Sequence, residues 1–125
     1  MVKVILICNA GMSTAMMEKR INENADGYCF VEAYGESEYR EHLENCDIIL
    51  VGPQIRHMIP NIKKNVGEDI PVDFIEPVDY GMMRADAVIA KIKRISLNLT
   101  KRYLDNKWTF KYKANYMFLK IFLLW

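Results

Sequence analysis

A cysteine lies between an apolar segment and a run of small and polar residues near the start of the chain. The stretch VILICNAGMSTAMM, residues 4–17, is typical of a buried strand, followed by Cys8 and then by the start of a helix. A strand-to-helix loop leaves several backbone N–H groups unpaired, and the helix adds about half a positive charge at that end. The sequence therefore predicts an anion site around Cys8.

The residues after Cys8 suit a bound phosphoryl group. Gly11 lets the backbone curl at low steric cost, while Ser13 and Thr14 bring hydroxyls that cap a helix or contact an oxyanion. The same donors favour a thiolate, so Cys8 should be more acidic than a free thiol. A nucleophilic sulfur in a phosphate-sized cradle indicates a phosphocysteine. This hypothesis fails if Cys8 is walled off beneath packed hydrocarbon with the neighbouring amides facing elsewhere; the alternative is a small buried residue that ends a strand.

Apolar strands alternate with helices along the first 95 residues. Such alternation is typical of right-handed βαβ units, in which helices cover both faces of a parallel sheet. We therefore expect a three-layer α/β sandwich with a four-stranded parallel sheet of order 2-1-3-4. The predicted strands are residues 2–7, 28–34, 47–51 and 71–75. The predicted helices are residues 13–24, 37–45 capped by Ser37, 54–65 with a kink or break at Pro60, and 83–95; residues 76–81 are predicted as a loop.

Three segments should meet at one edge of this sheet. Open parallel sheets bind ligands beyond the carboxyl ends of their strands. Cys8 follows the first strand, Gln54 follows the third after Gly52-Pro53, and Tyr80 follows the fourth. Gln54 and Tyr80 are therefore candidate accessory residues beside Cys8. For Gln54 the alternative is a solvent-exposed residue at the start of a helix.

The composition is that of an ordinary globular domain. Of the 125 residues, 51% are hydrophobic and 26% are charged, and the formal net charge of +1 identifies no class of partner. Cys8, Cys29 and Cys46 lack metal-binding spacing, so we expect no metal and no cofactor, and we interpret them as free thiols in a reducing cytoplasm. No apolar run reaches the roughly 18 residues that a membrane span needs.

The stretch CNAGMSTAM resembles the active loop of the enzyme II B components of bacterial sugar phosphotransferase systems, of the lactose/cellobiose (chitobiose) type. The matching residues are Cys8, Gly11, Met12, Ser13 and Thr14, while Ala15 stands where the family has a serine. The resemblance continues in DIILVGPQIRHMIP, residues 47–60, and in Asp79-Tyr80-Gly81. It covers residues 1–95.

The resemblance implies a phosphoryl carrier. Cys8 would accept a phosphoryl group from a phosphohistidine of the A component and pass it to a sugar at the membrane C component. The sugar would be a β-linked disaccharide such as cellobiose or chitobiose. The loop that holds the phosphoryl group would comprise Asn9, Ala10, Gly11, Met12, Ser13, Thr14 and Ala15. We expect no nucleic-acid partner, and a cytoplasmic protein that meets the membrane only through the C component.

Two other functions remain open. One is a regulatory phosphoacceptor that takes part in no transport. The other is a hydrolase similar to low-molecular-weight tyrosine phosphatases, whose loop is Cys-x5-Arg. The sixth residue after Cys8 is Thr14, and without a guanidinium to hold the anion rapid hydrolysis is not expected.

The last 30 residues differ from the rest in composition. Residues 1–95 contain 11 Lys and Arg against 15 Asp and Glu, whereas residues 96–125 contain 6 against 1 and hold 8 of the 14 aromatics. We therefore predict a domain at residues 1–95 and an atypical basic, aromatic tail at residues 96–125. Read-through sequence is the favoured explanation; the others are an amphipathic segment on an anionic membrane, a docking segment for the C component, and a hairpin over KWTFKYK.

Overall fold

The computed structural model of the chain describes residues 1–9 and 11–105. These residues form a four-stranded parallel sheet of β1 (Val2–Ile7), β2 (Cys29–Tyr34), β3 (Ile48–Val51) and β4 (Val72–Phe74). The strand order is β2-β1-β3-β4, as predicted. In the centre of the sheet, Val4 pairs with Val31 on one side and with Ile48 on the other.

The two central strands are apolar on both faces because helices cover both. Val4 and Leu6 of β1 pack with helix α1 (Met12–Asn24) and with helix α4 (Ala85–Asp105). The alternate residues, Ile5 and Ile7, pack on the opposite face with Ile62 of helix α2 (Ile59–Val66). Successive side chains of a strand point to opposite faces, so the even-numbered Cys8 belongs to the α1 and α4 side. The predicted three-layer sandwich is confirmed.

The helix predicted over residues 37–45 is wrong in type and length. Only a short 3-10 helix forms, Tyr39–His42, and Glu38 rather than Ser37 precedes it, without a side-chain cap. Tyr39 is the one buried residue of this segment. Helices this short depend on packing for their stability, and a single anchoring side chain holds no more than about one turn here.

The break predicted near Pro60 is confirmed. A 3-10 helix, Pro53–Met58, leads into α2, with non-helical backbone at Ile55. Pro60 lies in the first turn of α2, where the missing N–H of proline removes no intrahelical hydrogen bond. The region predicted as a loop at residues 76–81 instead contains the short helix α3 (Pro77–Gly81), which also has proline in its first turn.

Helix α4 is displaced from, and longer than, the predicted helix at residues 83–95. It begins at Ala85, because Met83 has a φ of 52°, outside the right-handed helical region. It extends to Asp105, and its later residues Ser96 and Leu99 are buried. The boundary predicted at residue 95 therefore lies within a helix. Residues 106–125, which include the predicted hairpin, lie outside the described part of the chain.

Two buried thiols should make stability sensitive to alkaline pH. Burial raises the pKa of Cys29 and of Cys46 to about 11. Thiols of the unfolded chain lose their protons from about pH 8.5 upward, so this stabilisation is complete below that pH and is lost as the pH rises towards the folded pKa. Between pH 8 and pH 10, we expect the free energy of unfolding to fall by about 1–2 kcal/mol per thiol. Urea unfolding at both pH values measures this decrease. In Cys46→Ala the decrease should be smaller by the contribution of one thiol; an unchanged decrease would contradict the prediction.

Candidate functional site

Cys8 lies directly after β1, at the carboxyl edge of the sheet. Its amide donates to the carbonyl of Tyr34 at 3.2 Å, which extends the pairing of β1 and β2 by one residue. The residue is 1% exposed and packs in the core cluster shared by α1 and α4. The chain thus places the thiol at the expected edge but encloses it.

Two hydroxyls form a chain of hydrogen bonds that begins at the enclosed thiol. Sγ of Cys8 donates to Oγ1 of Thr14 at 2.9 Å, and Oγ1 of Thr14 is hydrogen bonded to the hydroxyl of Tyr80 at 3.1 Å. Thr14 is in the first turn of α1 and Tyr80 is in α3, and both are buried. Oγ1 of Thr14 therefore links the end of β1, helix α1 and helix α3 through hydrogen bonds.

The prediction that Cys8 is unusually acidic is wrong in this structure. Burial raises the pKa of the Cys8 thiol, because a thiolate in this position would lose its hydration. Hydrogen bonds from Thr14 and Tyr80 lower the pKa, and the negative charge of Glu18 raises it. The net shift is upward. The sequence pattern identified Thr14 as a donor but did not predict the enclosure, which destabilises the thiolate by more than the hydrogen bonds stabilise it.

Gly52 separates Cys8 from Gln54. A Cβ atom at Gly52 would lie 3.0 Å from Cβ of Cys8 and 3.1 Å from Oε1 of Gln54. The amide of Gly52 donates to the carbonyl of Ile7 at 2.8 Å, which fixes this segment against the end of β1. Gln54 itself is exposed. The sequence places Gln54 and Tyr80 near Cys8, as the structure does, while the close approach at Gly52 was not anticipated.

The loop before α1 departs from the predicted cradle. Gly11 precedes α1 with a φ of −177°, an extended conformation open to any residue, so the expected glycine-dependent curl is absent at this position. The amides of Thr14 and Ala15 donate to the carbonyl of Gly11, and no acidic residue lies in the first turn of α1. Among the loop residues other than Thr14, the exposed ones are Asn9, Gly11, Met12, Ser13 and Ala15, while Ala10 lies outside the described residues.

Glu18 was not anticipated as part of the site. Glu18 follows Thr14 by four residues on α1, a spacing that puts both on one helix face, and this spacing was the available signal. A cavity of about 180 Å³ lies alongside, lined by Gly11, Thr14, Ala15, Glu18, Ala33, Tyr34, Gly35 and Glu38. Within residues 1–9 and 11–105, no three His, Cys, Asp or Glu side chains are grouped so as to hold a metal ion. No helix in that part of the chain has the length and apolarity for a membrane span.

Fold and site together define a small α/β protein with a cysteine at the carboxyl edge of its parallel sheet. Residues 3–91 match the model of the family described as PTS system, Lactose/Cellobiose specific IIB subunit. The chain belongs to this family, the IIB components of lactose/cellobiose-type sugar phosphotransferase systems, which are phosphotransferases.

Relatives of similar length show the same relationship. The chain is 30% identical over 101 residues to the PTS system oligo-beta-mannoside-specific EIIB component of Bacillus subtilis, covering 78% of this chain and 96% of the relative. It is 32% identical to the galactose-specific and 31% identical to the cellobiose-specific EIIB component of Lactococcus lactis, each over 106 residues, 74% of this chain and 94% of the relative.

Solved structures agree on the fold. The cellobiose-specific phosphotransferase IIB component of Borrelia burgdorferi is 31% identical, with a TM-score of 0.56 over 85% of this chain and 94% of that chain. The lactose-specific IIB component domain of Streptococcus pneumoniae, at 18% identity, has a TM-score of 0.60 over 72% of this chain and 95% of that chain. The second likeness concerns the fold alone.

Proposed function

We propose that Cys8 is the phosphoryl acceptor of this IIB component. In the first step, the N–P bond of a phosphohistidine on the A component breaks, an S–P bond forms at Cys8, and the thiol proton ends on the imidazole. In the second step, the S–P bond breaks, an O–P bond forms on a sugar held by the membrane C component, and the hydroxyl proton of the sugar returns the departing Cys8 thiolate to a thiol. The observation that supports this proposal is the position of Cys8 at the carboxyl end of β1, bonded to Thr14 in the first turn of α1.

The loop residues 9–15 would receive the phosphoryl group through their backbone. Met12 and Ser13 open α1, where N–H groups have no intrahelical acceptor, and the absence of an acidic residue in this first turn leaves the helix dipole uncompensated for an anion. Because Cys8 is 1% exposed, a donor reaches the sulfur only when the site opens. Catalysis then consists mainly of positioning and charge stabilisation.

For the sugar, we propose a β-linked disaccharide such as cellobiose or chitobiose. The names of the relatives specify oligo-beta-mannoside, galactose and cellobiose, which supports the saccharide class and leaves the choice among saccharides to experiment. We propose that residues 1–95 carry the transfer function in the cytoplasm, and that the chain meets the membrane only through the C component. The basic, aromatic segment at residues 96–125 has no assigned part in the transfer.

Reconstitution tests the function directly. The chain is incubated with phosphoenolpyruvate, the general phosphotransferase proteins and a cognate A component. We expect an acid-stable, iodine-labile phosphoryl adduct on Cys8, discharged only when the C component and its sugar are added. An adduct that is never discharged would support a regulatory phosphoacceptor instead. Release of phosphate from aryl phosphates by the chain alone would support a hydrolase.

A further inference from the structure

The contacts of Cys8 form a short buried chain of polar atoms. Sγ of Cys8, Oγ1 of Thr14 and the hydroxyl of Tyr80 follow one another at 2.9 Å and 3.1 Å. The exposed fractions of these three residues are 1%, 5% and 5%. Bulk water therefore does not replace a partner that is lost, and each hydrogen bond in the chain matters more than it would at a surface.

We propose that Tyr80 is a positioning residue for Cys8, whose hydroxyl holds the Thr14 hydroxyl so that it accepts from the thiol and donates to the thiolate. This inference rests on the proposed role of Cys8 as phosphoryl acceptor. Tyr80 touches neither the phosphoryl donor nor the phosphoryl group in this scheme, so it is not a catalytic residue.

The chemistry of hydroxyls allows both states of the chain. A hydroxyl has one proton to donate and lone pairs to accept. In the thiol state, Sγ–H donates to Oγ1 of Thr14. When the thiol proton leaves to the imidazole of the phosphoryl donor, the sulfur becomes an acceptor. The Thr14 proton then turns to Sγ, and the Tyr80 proton turns to Oγ1 of Thr14, so no atom of the chain is left without a partner.

The electrostatics of the site show what such a donor pair opposes. Burial and the negative charge of Glu18 on α1 both raise the pKa of the Cys8 thiol, and hydrogen bonds from Thr14 and Tyr80 oppose them. Glu18 is the charged group that acts on the thiol; α3 contributes Tyr80, and Gln54, on the segment that follows β3, is uncharged. The two hydroxyls are thus the groups that favour a reactive sulfur.

Tyr80 is well placed for this role because its own backbone is fixed. Its amide donates to the carbonyl of Glu76 at 3.0 Å, and its carbonyl accepts from the amide of Met83 at 3.2 Å. Its ring lies in the core cluster that also contains Cys8. The hydroxyl is therefore held by packing rather than by a flexible surface segment.

The test is the pH profile of Cys8 alkylation in the full chain, resolved by mass spectrometry, for the wild type and Tyr80→Phe. Tyr80→Phe removes one hydrogen bond from the chain that stabilises the thiolate. At pH values below the pKa of the Cys8 thiol, the alkylation rate should therefore fall by roughly three- to tenfold, and the pH profile should move to higher pH. The rate of phosphoryl acceptance from the A component should fall by a similar factor. Simple loosening of the packing would do the opposite, since a more accessible thiol reacts faster.

Tyr39→Phe is the matched control. Tyr39 is a fully buried tyrosine on the other face of the sheet, and its hydroxyl accepts from Asn65. We expect its Cys8 profile to match the wild type. Thr14→Ser keeps a hydroxyl and should retain most of the alkylation rate of Cys8, whereas Thr14→Val should lose it. In a chain that already carries Thr14→Val, Tyr80→Phe should lower that rate by less than it does in the wild type.

Two outcomes separate this inference from the proposed function. The positioning role would be overturned if the alkylation profiles of Tyr80→Phe and the wild type coincided. It would also be overturned if the effects of Tyr80→Phe and Thr14→Val on the alkylation rate were fully additive. Neither result would exclude Cys8 as the acceptor. A shifted profile in a chain that accepts no phosphate at Cys8 would confirm the hydroxyl pair and overturn the proposed function.

Discussion

Replacing Cys8 by serine abolishes phosphoryl acceptance and leaves the fold intact; this is the largest effect we expect from a single substitution. The serine side chain is only slightly smaller than that of cysteine, and its hydroxyl can donate to Oγ1 of Thr14 as the thiol does. The free energy of unfolding should therefore change by no more than about 1 kcal/mol. Acceptance is lost because an alcohol without an adjacent general base is a far weaker nucleophile than a thiolate.

The measurement is transfer of labelled phosphate from phosphoenolpyruvate through the A component, with circular dichroism as the check on folding. Cys29→Ala is the control, since Cys29 is a buried thiol at the start of β2, whereas Cys8 follows the carboxyl end of β1. It should accept phosphate at the wild-type rate. A folded Cys8→Ser variant that still accepts phosphate at the normal rate would show that the acceptor is another residue.

Gly52→Ala should have the second-largest effect, on stability and on transfer together. The new methyl group would be 3.0 Å from Cβ of Cys8 and 3.1 Å from Oε1 of Gln54. The backbone of Gly52, with φ −61° and ψ 148°, suits alanine, so the cost is purely one of space. Overpacking of a closely packed site typically costs about 1–3 kcal/mol, and we expect a loss of that size in urea unfolding.

We expect the rate of phosphoryl transfer to fall by more than the loss of stability alone would cause, because the displaced Cβ of Cys8 carries the proposed nucleophile. A shift of Cys8 changes the contact with Thr14 on which the reactive sulfur depends. Gly81→Ala is the matched control: a Cβ there meets nothing within 4 Å, and φ is not positive. Equal behaviour of the two alanine variants, in urea and in the transfer assay, would mean that the contact at Gly52 is unimportant.

The sheet and the position of Cys8 could be predicted because both depend on local pattern. Continuous apolar runs such as β1 and β3 identify buried parallel strands, and βαβ handedness restricts their order. Topology then brings Gln54 and Tyr80 to the edge where Cys8 lies, although the first strand and Tyr80 are far apart in sequence. The start of a new helix at Ile59 fits the chemistry of proline, because Pro60 lies in the first turn of α2, where its missing N–H removes no intrahelical hydrogen bond.

Other features depend on tertiary packing and could not be predicted this way. Whether a thiol at a strand end is enclosed depends on how α1, α3 and the Gly52 segment close around it, and no local pattern encodes that closure. The length of α4 is a similar case: the predicted apolar stripe ends at Ile95, but Ser96 and Leu99 are buried and the helix continues to Asp105. Helix ends of this kind are set by packing more than by propensity.

The hydrogen bond between Thr14 and Tyr80 joins residues 66 positions apart, so the site is complete only when distant parts of the chain have come together. A nascent or partly folded chain containing only β1, α1 and β2 would have Cys8 without the tyrosine or the glycine that enclose it. In such a chain the sulfur would be an accessible, ordinary thiol, open to oxidation or to mixed disulfides. Completion of the domain therefore protects the atom that we propose as the phosphoryl acceptor, and resistance of Cys8 to oxidants should report that the whole sheet has assembled.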